Sequence, residues 1–252
     1  MPFEGTLERA LTLYRAFMAE CGVRLPTGYA PPLNYCIYYE CRKYYSRAQL
    51  LKCLDYAAEA GCGLLYMDQG WEDYFSSGRW DETRFGPIGE IVRIIRARGL
   101  ELGGLVGLHA DSYVWPHECR RKDAEGRLAP GDRWGHWVGT CPVSETWRTT
   151  KTRRLLSVAR GGMRFFSFDF NDGIEPCFDA AHGHDLPLDL WEHALGVARQ
   201  QRAVKEAAPD TLIEAHCWRT SGSAYWPMYV FQGGHDERWG FEFMWDPFAD
   251  LK

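Results

Sequence analysis

The stretch RFFSFDFNDG, residues 164–173, determines how the rest of the chain is interpreted. It is short, rich in aromatic residues and closed by Asn-Asp-Gly, a strong turn signal, and it therefore predicts a buried β-strand. Asp169 lies near the end of this strand, where removing a charge from water is costly unless the protein uses it. We therefore expect Asp169 either to carry chemistry or, as the alternative, to cap the turn that follows.

Strand and helix patterns alternate on both sides of this stretch. The predicted strands lie within 33–40, 62–71, 101–111, 164–173, 211–218 and 227–232. The predicted helices cover 46–61, 89–100, 144–160 and 186–210, and 239–245 is either a seventh strand or the start of a helix. A long loop follows the third strand. Regular alternation implies parallel strands covered by helices, as in an open doubly wound sheet or a closed (β/α)8 TIM-type barrel.

Two features favour the barrel within this α/β class. No G-x-G-x-x-G follows the first strand, although a dinucleotide-binding sheet would require it. The predicted strands also end in polar residues, and barrels gather their active sites at these ends. We expect an N-terminal helix and Pro-rich connector over residues 1–30 and the barrel over residues 31–252. Since only six or seven strands fit before Lys252, the barrel is expected to be incomplete at its C-terminus, as in a fragment of a longer protein.

Composition argues against several classes of partner and cofactor. The net charge of −5 and the lack of a Lys/Arg-rich run argue against nucleic acid, and no apolar stretch is long enough for a membrane span. The nine cysteines include no C-x-x-C pair, which favours reduced thiols in a cytoplasmic protein and argues against a structural zinc site. The HGHD motif resembles a metal-binding motif, but no third ligand is positioned beside His182 and His184. We therefore expect no metal and no cofactor.

Polar and aromatic residues at or near the predicted strand ends form the candidate site. They are Glu40, Asp68, Trp71, His109, Asp111, Asp169, Asn171, Glu214, His216, Trp218 and Asp236. In the MDQGW motif, Asp68 would accept hydrogen bonds from sugar hydroxyls and Trp71 would offer its face to a pyranose ring, unless the motif is a turn around a buried Trp. Glu214, His216 and Trp218 share one side of their strand, because side chains alternate with a period of two.

Glycoside hydrolysis requires at least two carboxylates that face one pocket, and different strand ends can supply them. Asp169 is the candidate for the nucleophile. Asp236, which follows two glycines in QGGHDE, is the candidate for the proton donor, unless it is a solvated loop charge. Glu237 and Glu242 are the alternatives for this second role.

Several of these motifs together resemble the catalytic barrel of α-galactosidase-type glycoside hydrolases of family 36 and its clan relatives. The resemblance rests on YMDQGW, GLELGGLVG, FFSFDFND and the IEAHCW and HDERW region, in this order over roughly residues 31–240. It implies a retaining two-carboxylate mechanism on an α-linked carbohydrate substrate, with Asp169 as the nucleophile and Asp236 as the acid/base. It also implies that Asp68 and Trp71 form the sugar-binding turn, and that homo-oligomers can form as part of a longer chain.

The chain departs from the family pattern at two positions. Gln69 stands where the family has a second Asp, and Ser167 stands where it has a Lys, and both family residues contact galactose hydroxyls. The resemblance therefore leaves the sugar open. Two other functions stay open as well, a carbohydrate-binding barrel without catalysis and a metal-dependent barrel hydrolase. The ligands of the latter would be His109, Asp111, His216 and Asp236.

Overall fold

The computed structural model describes residues 5–20, 32–107, 109–110, 114–129, 138–169 and 176–215. The strands are β1 Asn34–Cys36, β2 Leu64–Tyr66, β3 Glu101–Gly107, β4 His109–Ala110, β5 Val138–Gly139, β6 Phe165–Asp169 and β7 Leu212–Ala215. The helices are α1 Leu7–Glu20, α2 Ile37–Cys41, α3 Arg47–Glu59, α4 Glu82–Phe85, α5 Ile88–Arg96, α6 Glu145–Arg160 and α7 Leu190–Ala207.

Five of the described strands form one parallel sheet, in the order β1-β2-β3-β6-β7. The short strands β4 and β5 form a separate antiparallel pair. Residues 5–20, which include helix α1, and the last two residues of β7 belong to one compact unit, and the other described residues belong to a second. Among the described helices, none combines the length and the hydropathy needed to cross a bilayer.

Side-chain caps fix where the longer helices begin. Ser46 Oγ accepts a hydrogen bond from the Gln49 N–H, and Gln49 Oε1 accepts one from the Ser46 N–H, which together form a capping box. Ser144 caps α6 and Asp189 caps α7, each by accepting from the backbone N–H three residues further on. These bonds satisfy N–H groups that would otherwise lack partners, and they therefore determine the residue at which each loop becomes a helix.

The central strand β3 is rich in glycine, which lets aromatic rings approach it on both faces. A Cβ at Gly103 would lie 2.7 Å from the Phe165 ring, and a Cβ at Gly104 would lie 2.6 Å from Trp71 Nε1. Successive strand positions alternate between the two faces, so these two rings lie on opposite sides of the sheet. The Phe165 side carries a buried apolar cluster of Leu64, Tyr66, Leu105 and Phe165.

The structure confirms the α/β class and five of the predicted strands. The strands β1, β2, β3, β6 and β7 fall within the predicted stretches, and α3, α5, α6 and α7 overlap the predicted helices. The stretches 227–232 and 239–245 lie outside the described residues. Closure of the sheet into a barrel therefore stays a prediction.

Two local predictions were wrong. The first strand ends at Cys36, and the residues that follow form α2, so Glu40 is an exposed helical residue instead of a strand-end side chain. An apolar run does not by itself distinguish a strand from a helix. In the structure, this run turns into a helix that packs against α3 and against the turn after β2. The predicted long loop after the third strand also contains a strand, β5, which pairs with β4.

Candidate active site

The first part of the site is the turn of residues Asp68–Trp71, which follows β2. Asp68 is 7% exposed and has a φ of +48°, a left-handed conformation that few non-glycine residues adopt. Its Oδ1 accepts a hydrogen bond from the Gln69 N–H at 2.6 Å, and Cys36 Sγ donates to its Oδ2 at 3.8 Å. Burial and the Asp68 charge raise the pKa of the Cys36 thiol, so the thiol keeps its proton and can act as this donor.

Tyr45 and Arg84 hold this turn from two sides. The Tyr45 hydroxyl donates to the carbonyl oxygen that precedes Asp68 at 2.8 Å, and its ring lies so close to Gly70 that a Cβ there would be 2.1 Å away. Arg84 donates to the carbonyl oxygens of Gly70 and Glu72 at 3.0 and 3.2 Å. A left-handed conformation at a non-glycine residue persists only when its surroundings hold it. These contacts explain how Asp68 keeps that conformation.

Trp71 does not offer its face to a ligand. It is fully buried, its Nε1 donates to the Leu105 carbonyl oxygen at 2.8 Å, and its ring lies against Gly104. A ring without exposed surface cannot stack on a sugar, so the predicted platform role of Trp71 was wrong. The alternative of a turn around a buried Trp fits the structure, and Trp71 joins this turn to β3.

The second part of the site is the end of β6, where Asp169 is the last strand residue. It pairs in parallel register with Gly107, the last residue of β3. The Ser76 hydroxyl donates to the Gly107 carbonyl oxygen, which ties the loop after the Asp68–Trp71 turn to this strand end. Ser167 is fully buried, and among the described residues its hydroxyl has no hydrogen-bond partner. Because residues 167 and 169 are two apart, both positions belong to the same strand face.

A buried ion pair supports the loop that reaches Gly107. Lys151 of α6 is fully buried, donates to the Ser76 carbonyl oxygen at 2.5 Å and lies 3.9 Å from Glu72 Oε1. Glu72 accepts hydrogen bonds from the backbone N–H groups of Ser76 and Gly78 at 2.6 and 2.5 Å. Burial raises the pKa of Glu72 to about 7 and lowers the pKa of Lys151 to about 8. Both groups are engaged by the loop, so we interpret them as residues that position Ser76.

The structure describes only part of the predicted site. His109 begins β4, Asp169 ends β6 and Glu214 lies in β7, and for all three the backbone alone is described. The predicted residues outside the described part of the chain are Asp111, Asn171, His216, Trp218 and Asp236. The structure therefore places Asp68 and Asp169 at the same edge of one sheet. The pairing of Asp169 with a second carboxylate stays a prediction.

A second group of reactive side chains lies in the segments that follow β5 and β6. It consists of Cys141, Cys177, His182 and His184, whose ligand atoms all lie within 4.8 Å of one another. We call it the Cys2His2 cluster. The sequence reasoning missed it because Cys141 is distant in the chain, although the spacing of the other three residues, C-x4-H-x-H, is visible in the sequence. These are residues that can hold a metal ion.

The parallel sheet and its covering helices define an α/β fold. Comparison of the sequence with protein-family models and with curated proteins gives no match. Comparison of the structure with solved structures gives many, and α-galactosidases are prominent among them. The sequence resemblance to α-galactosidase barrels is therefore confirmed at the level of the fold.

Three of these structures illustrate the similarity. A variant of the GH36 α-galactosidase AgaA from Geobacillus stearothermophilus in complex with stachyose has a TM-score of 0.71 and 13% identity, over 91% of this chain and 35% of that one. An α-galactosidase from Thermus thermophilus with stachyose has a TM-score of 0.67 and 19% identity, over 93% and 51%. The galactosidase domain of the α-galactosidase-sucrose kinase AgaSK has a TM-score of 0.65 and 14% identity, over 83% and 30%. The chain thus spans between 30% and 51% of the length of these three proteins.

Proposed function

We propose that the protein is a glycoside hydrolase that cleaves α-linked sugars with retention of configuration. The observation that carries the proposal is the position of Asp169 at the C-terminal end of β6, in register with the end of β3. In parallel α/β barrels, catalytic side chains come from these strand ends. The fold is shared with α-galactosidases, one of which, from Thermus thermophilus, was solved in complex with stachyose and in complex with p-nitrophenyl α-D-galactopyranoside.

The proposed mechanism uses two carboxylates. Asp169 attacks the anomeric carbon, and Asp236 protonates the leaving oxygen and then activates water, with Glu237 and Glu242 as rivals for this second role. Such a pair lies about 5–5.5 Å apart in retaining enzymes. Asp68 accepts hydrogen bonds from sugar hydroxyls at the same sheet edge. The further sugar contacts are His109, Asp111, Asn171, Glu214, His216 and Trp218.

Ser167 and Gln69 bear on which sugar is bound. The resemblance implies a Lys and an Asp at these positions, and a shorter Ser167 leaves more space beside position 169. Its buried hydroxyl lacks a partner among the described residues, so a sugar hydroxyl is a suitable partner for it. We therefore expect the preferred α-glycoside to differ from a galactoside at one of the hydroxyls that these two residues would contact.

The proposal is tested with a panel of aryl α- and β-glycosides on the purified protein. We expect release of the aryl group from α-glycosides alone, and a product that first appears as the α-anomer by NMR. Asp169→Asn should lower kcat by about 10⁴-fold or more, the scale seen when a nucleophile is removed. A small anion such as azide should restore turnover to Asp169→Ala and yield a β-glycosyl product.

The matched control is Asp55→Asn, which removes a surface carboxylate that is 51% exposed and paired with Arg98. This variant should keep full activity. Near-normal activity of a folded Asp169→Asn variant, or an inverted product from the wild-type protein, would reject the proposed mechanism. Calorimetric binding of a sugar without any turnover would instead support the carbohydrate-binding alternative.

A further inference from the structure

The Cys2His2 cluster gathers its ligands from two loops that leave neighbouring strands. Cys141 lies just beyond β5, in the segment that follows β3 and β4, whereas the other three residues lie between β6 and α7. Cys177 Sγ is 3.4 Å from His182 Nδ1. Tetrahedral zinc, with bonds of about 2.3 Å to sulfur and about 2.0–2.1 Å to nitrogen, sets its ligand atoms about 3.3–3.8 Å apart. The 3.4 Å between Cys177 Sγ and His182 Nδ1 lies in this range, and all four atoms lie within 4.8 Å of one another, so small shifts would bring them to it.

The cluster is shielded from solvent. Cys141 and Cys177 are both 0% exposed and pack with Leu188 and Val143 in an apolar group. The two histidines of the cluster are each 9% exposed. Polar groups buried to this extent normally have partners, because an unpaired buried nitrogen loses its bonds to water without replacement.

His182 is oriented as a metal ligand would be. Its Nε2 is 2.9 Å from the Glu118 carbonyl oxygen and 3.8 Å from Asp179 Oδ2, so this nitrogen can carry the proton and donate it. Nδ1 then presents its lone pair toward Cys177. A metal-bound histidine commonly donates its second ring N–H to a carbonyl or carboxylate in this way.

His184 supplies an independent observation that points to a ligand. Its Nδ1 is 2.7 Å from the Asp185 carbonyl oxygen, whereas its Nε2 is buried and has no hydrogen-bond partner among the described residues. Gly183, between the two histidines, has a φ of +75°, a left-handed conformation that glycine adopts without strain. The resulting turn brings both rings to one cluster, and Nε2 of His184 is available to a metal ion.

We infer that the Cys2His2 cluster binds one zinc ion and thereby joins the loop after β5 to the segment before α7. Two thiolates and two imidazoles in a closed set of four ligands suit tetrahedral Zn²⁺. Binding replaces the proton of each thiol, so Zn²⁺ enters and two protons leave to solvent. With four protein ligands, zinc has no open position for water or substrate, and its role is structural. This inference does not depend on the proposed glycosidase activity.

Metal analysis of the purified full chain tests the inference directly. We expect one equivalent of zinc per chain by elemental mass spectrometry. Cobalt(II) substitution should produce the intense visible absorption of a tetrahedral site together with a thiolate-to-cobalt charge-transfer band. Cys177→Ser and His184→Asn should each abolish the bound equivalent. The matched controls Cys62→Ser, at a buried thiol outside the cluster, and His117→Asn, at an exposed histidine, should retain it.

A second measurement on the wild-type protein covers the case in which these variants fail to fold. Alkylation followed by mass spectrometry should label Cys141 and Cys177 only after a chelator has removed the metal. The melting temperature should rise with added Zn²⁺ and fall with the chelator. Absence of metal with both thiols freely alkylated, a Cys141–Cys177 disulfide, or full zinc retention in both ligand variants would each overturn the inference.

Discussion

Replacing Lys151 with Met is expected to destabilise the protein by about 3–5 kcal/mol. Lys151 is fully buried, donates to the Ser76 carbonyl and hydroxyl oxygens at 2.5 and 3.0 Å, and lies 3.9 Å from Glu72. Met has a similar volume but no charge, so Glu72 would lose its counter-charge and would either remain as an unpaired buried carboxylate or take up a proton well above its usual pKa of 4.5, and both are costly. A loss of 1 kcal/mol lowers the melting temperature of a protein of this size by about 2–4 °C, so the midpoint should fall by about 6–20 °C.

The double variant Glu72→Gln/Lys151→Met tests whether this loss arises from the unpaired charge. When both charges of a buried pair are removed, much of the stability is usually kept. The amide oxygen at position 72 can still accept a backbone N–H of the loop. We therefore expect the double variant to be more stable than Lys151→Met alone, with a coupling energy of about 1–3 kcal/mol.

The contribution of Glu72 should also depend on pH. Burial raises the pKa of Glu72 to about 7 from its usual value of 4.5. A group whose pKa is raised by folding stabilises the protein fully below the unfolded pKa and loses this contribution as the pH rises through the folded pKa. The stability of the wild-type protein relative to Glu72→Gln should therefore decline between about pH 4.5 and 7. Lys151 adds no pH dependence to the stability between about pH 4.5 and 7, because its pKa, although lowered to about 8, keeps it protonated there.

Urea denaturation followed by circular dichroism measures each of these free energies of unfolding. Lys52→Met, at an exposed lysine of α3, is the control and should leave the stability unchanged. A loss below about 1 kcal/mol for Lys151→Met, or strict additivity in the double variant, would refute the view that an unpaired buried charge is the cause.

Two further substitutions test how the Asp68–Trp71 turn is held. Gly104→Ala should lower the free energy of unfolding by about 1–3 kcal/mol, because its Cβ would lie 2.6 Å from Trp71 Nε1. The control Gly89→Ala in α5 meets no atom within 4 Å and should be neutral or slightly stabilising. Equal thermal unfolding midpoints for these two variants would contradict this reasoning. Tyr45→Phe should lower the free energy of unfolding by about 1–3 kcal/mol, because it leaves a buried carbonyl oxygen without its donor. The control Tyr44→Phe changes a residue that is 82% exposed and should have no effect. Coincident denaturation curves for the two tyrosine variants would contradict this expectation.

The sheet could be predicted from the sequence because a buried parallel strand leaves a local signal. Strands covered on both faces are mainly apolar runs between turn residues, as Phe165–Asp169 and Glu101–Gly107 show apart from Ser167 and the acids at their ends. The same signal failed at residues 37–41, because a run of this length is equally compatible with one turn of helix. There the outcome depends on packing against α3, which the local sequence does not specify.

The location of Asp68 and Asp169 at one edge of the sheet could be predicted, because the position of a residue along a parallel strand determines the sheet edge at which it lies. The role of Trp71 could not be predicted in this way. Whether its ring faces a cleft or the sheet depends on Gly104, which leaves room for the ring, and on the Leu105 carbonyl oxygen that its N–H reaches. Both contacts join residues that are far apart in sequence.

The Cys2His2 cluster shows how strand order can assemble a site that no local motif contains. Local spacing groups only three of the four ligands, the residues at 177–184, and three ligands leave zinc incomplete. The fourth, Cys141, comes from the loop that leaves the neighbouring strand, because β3 and β6 pair although a long segment separates them in the chain. The Phe178 N–H donates to the Lys122 carbonyl oxygen at 2.9 Å, which joins the two loops directly. The strand order that sets Gly107 beside Asp169 therefore also brings the fourth ligand to the cluster.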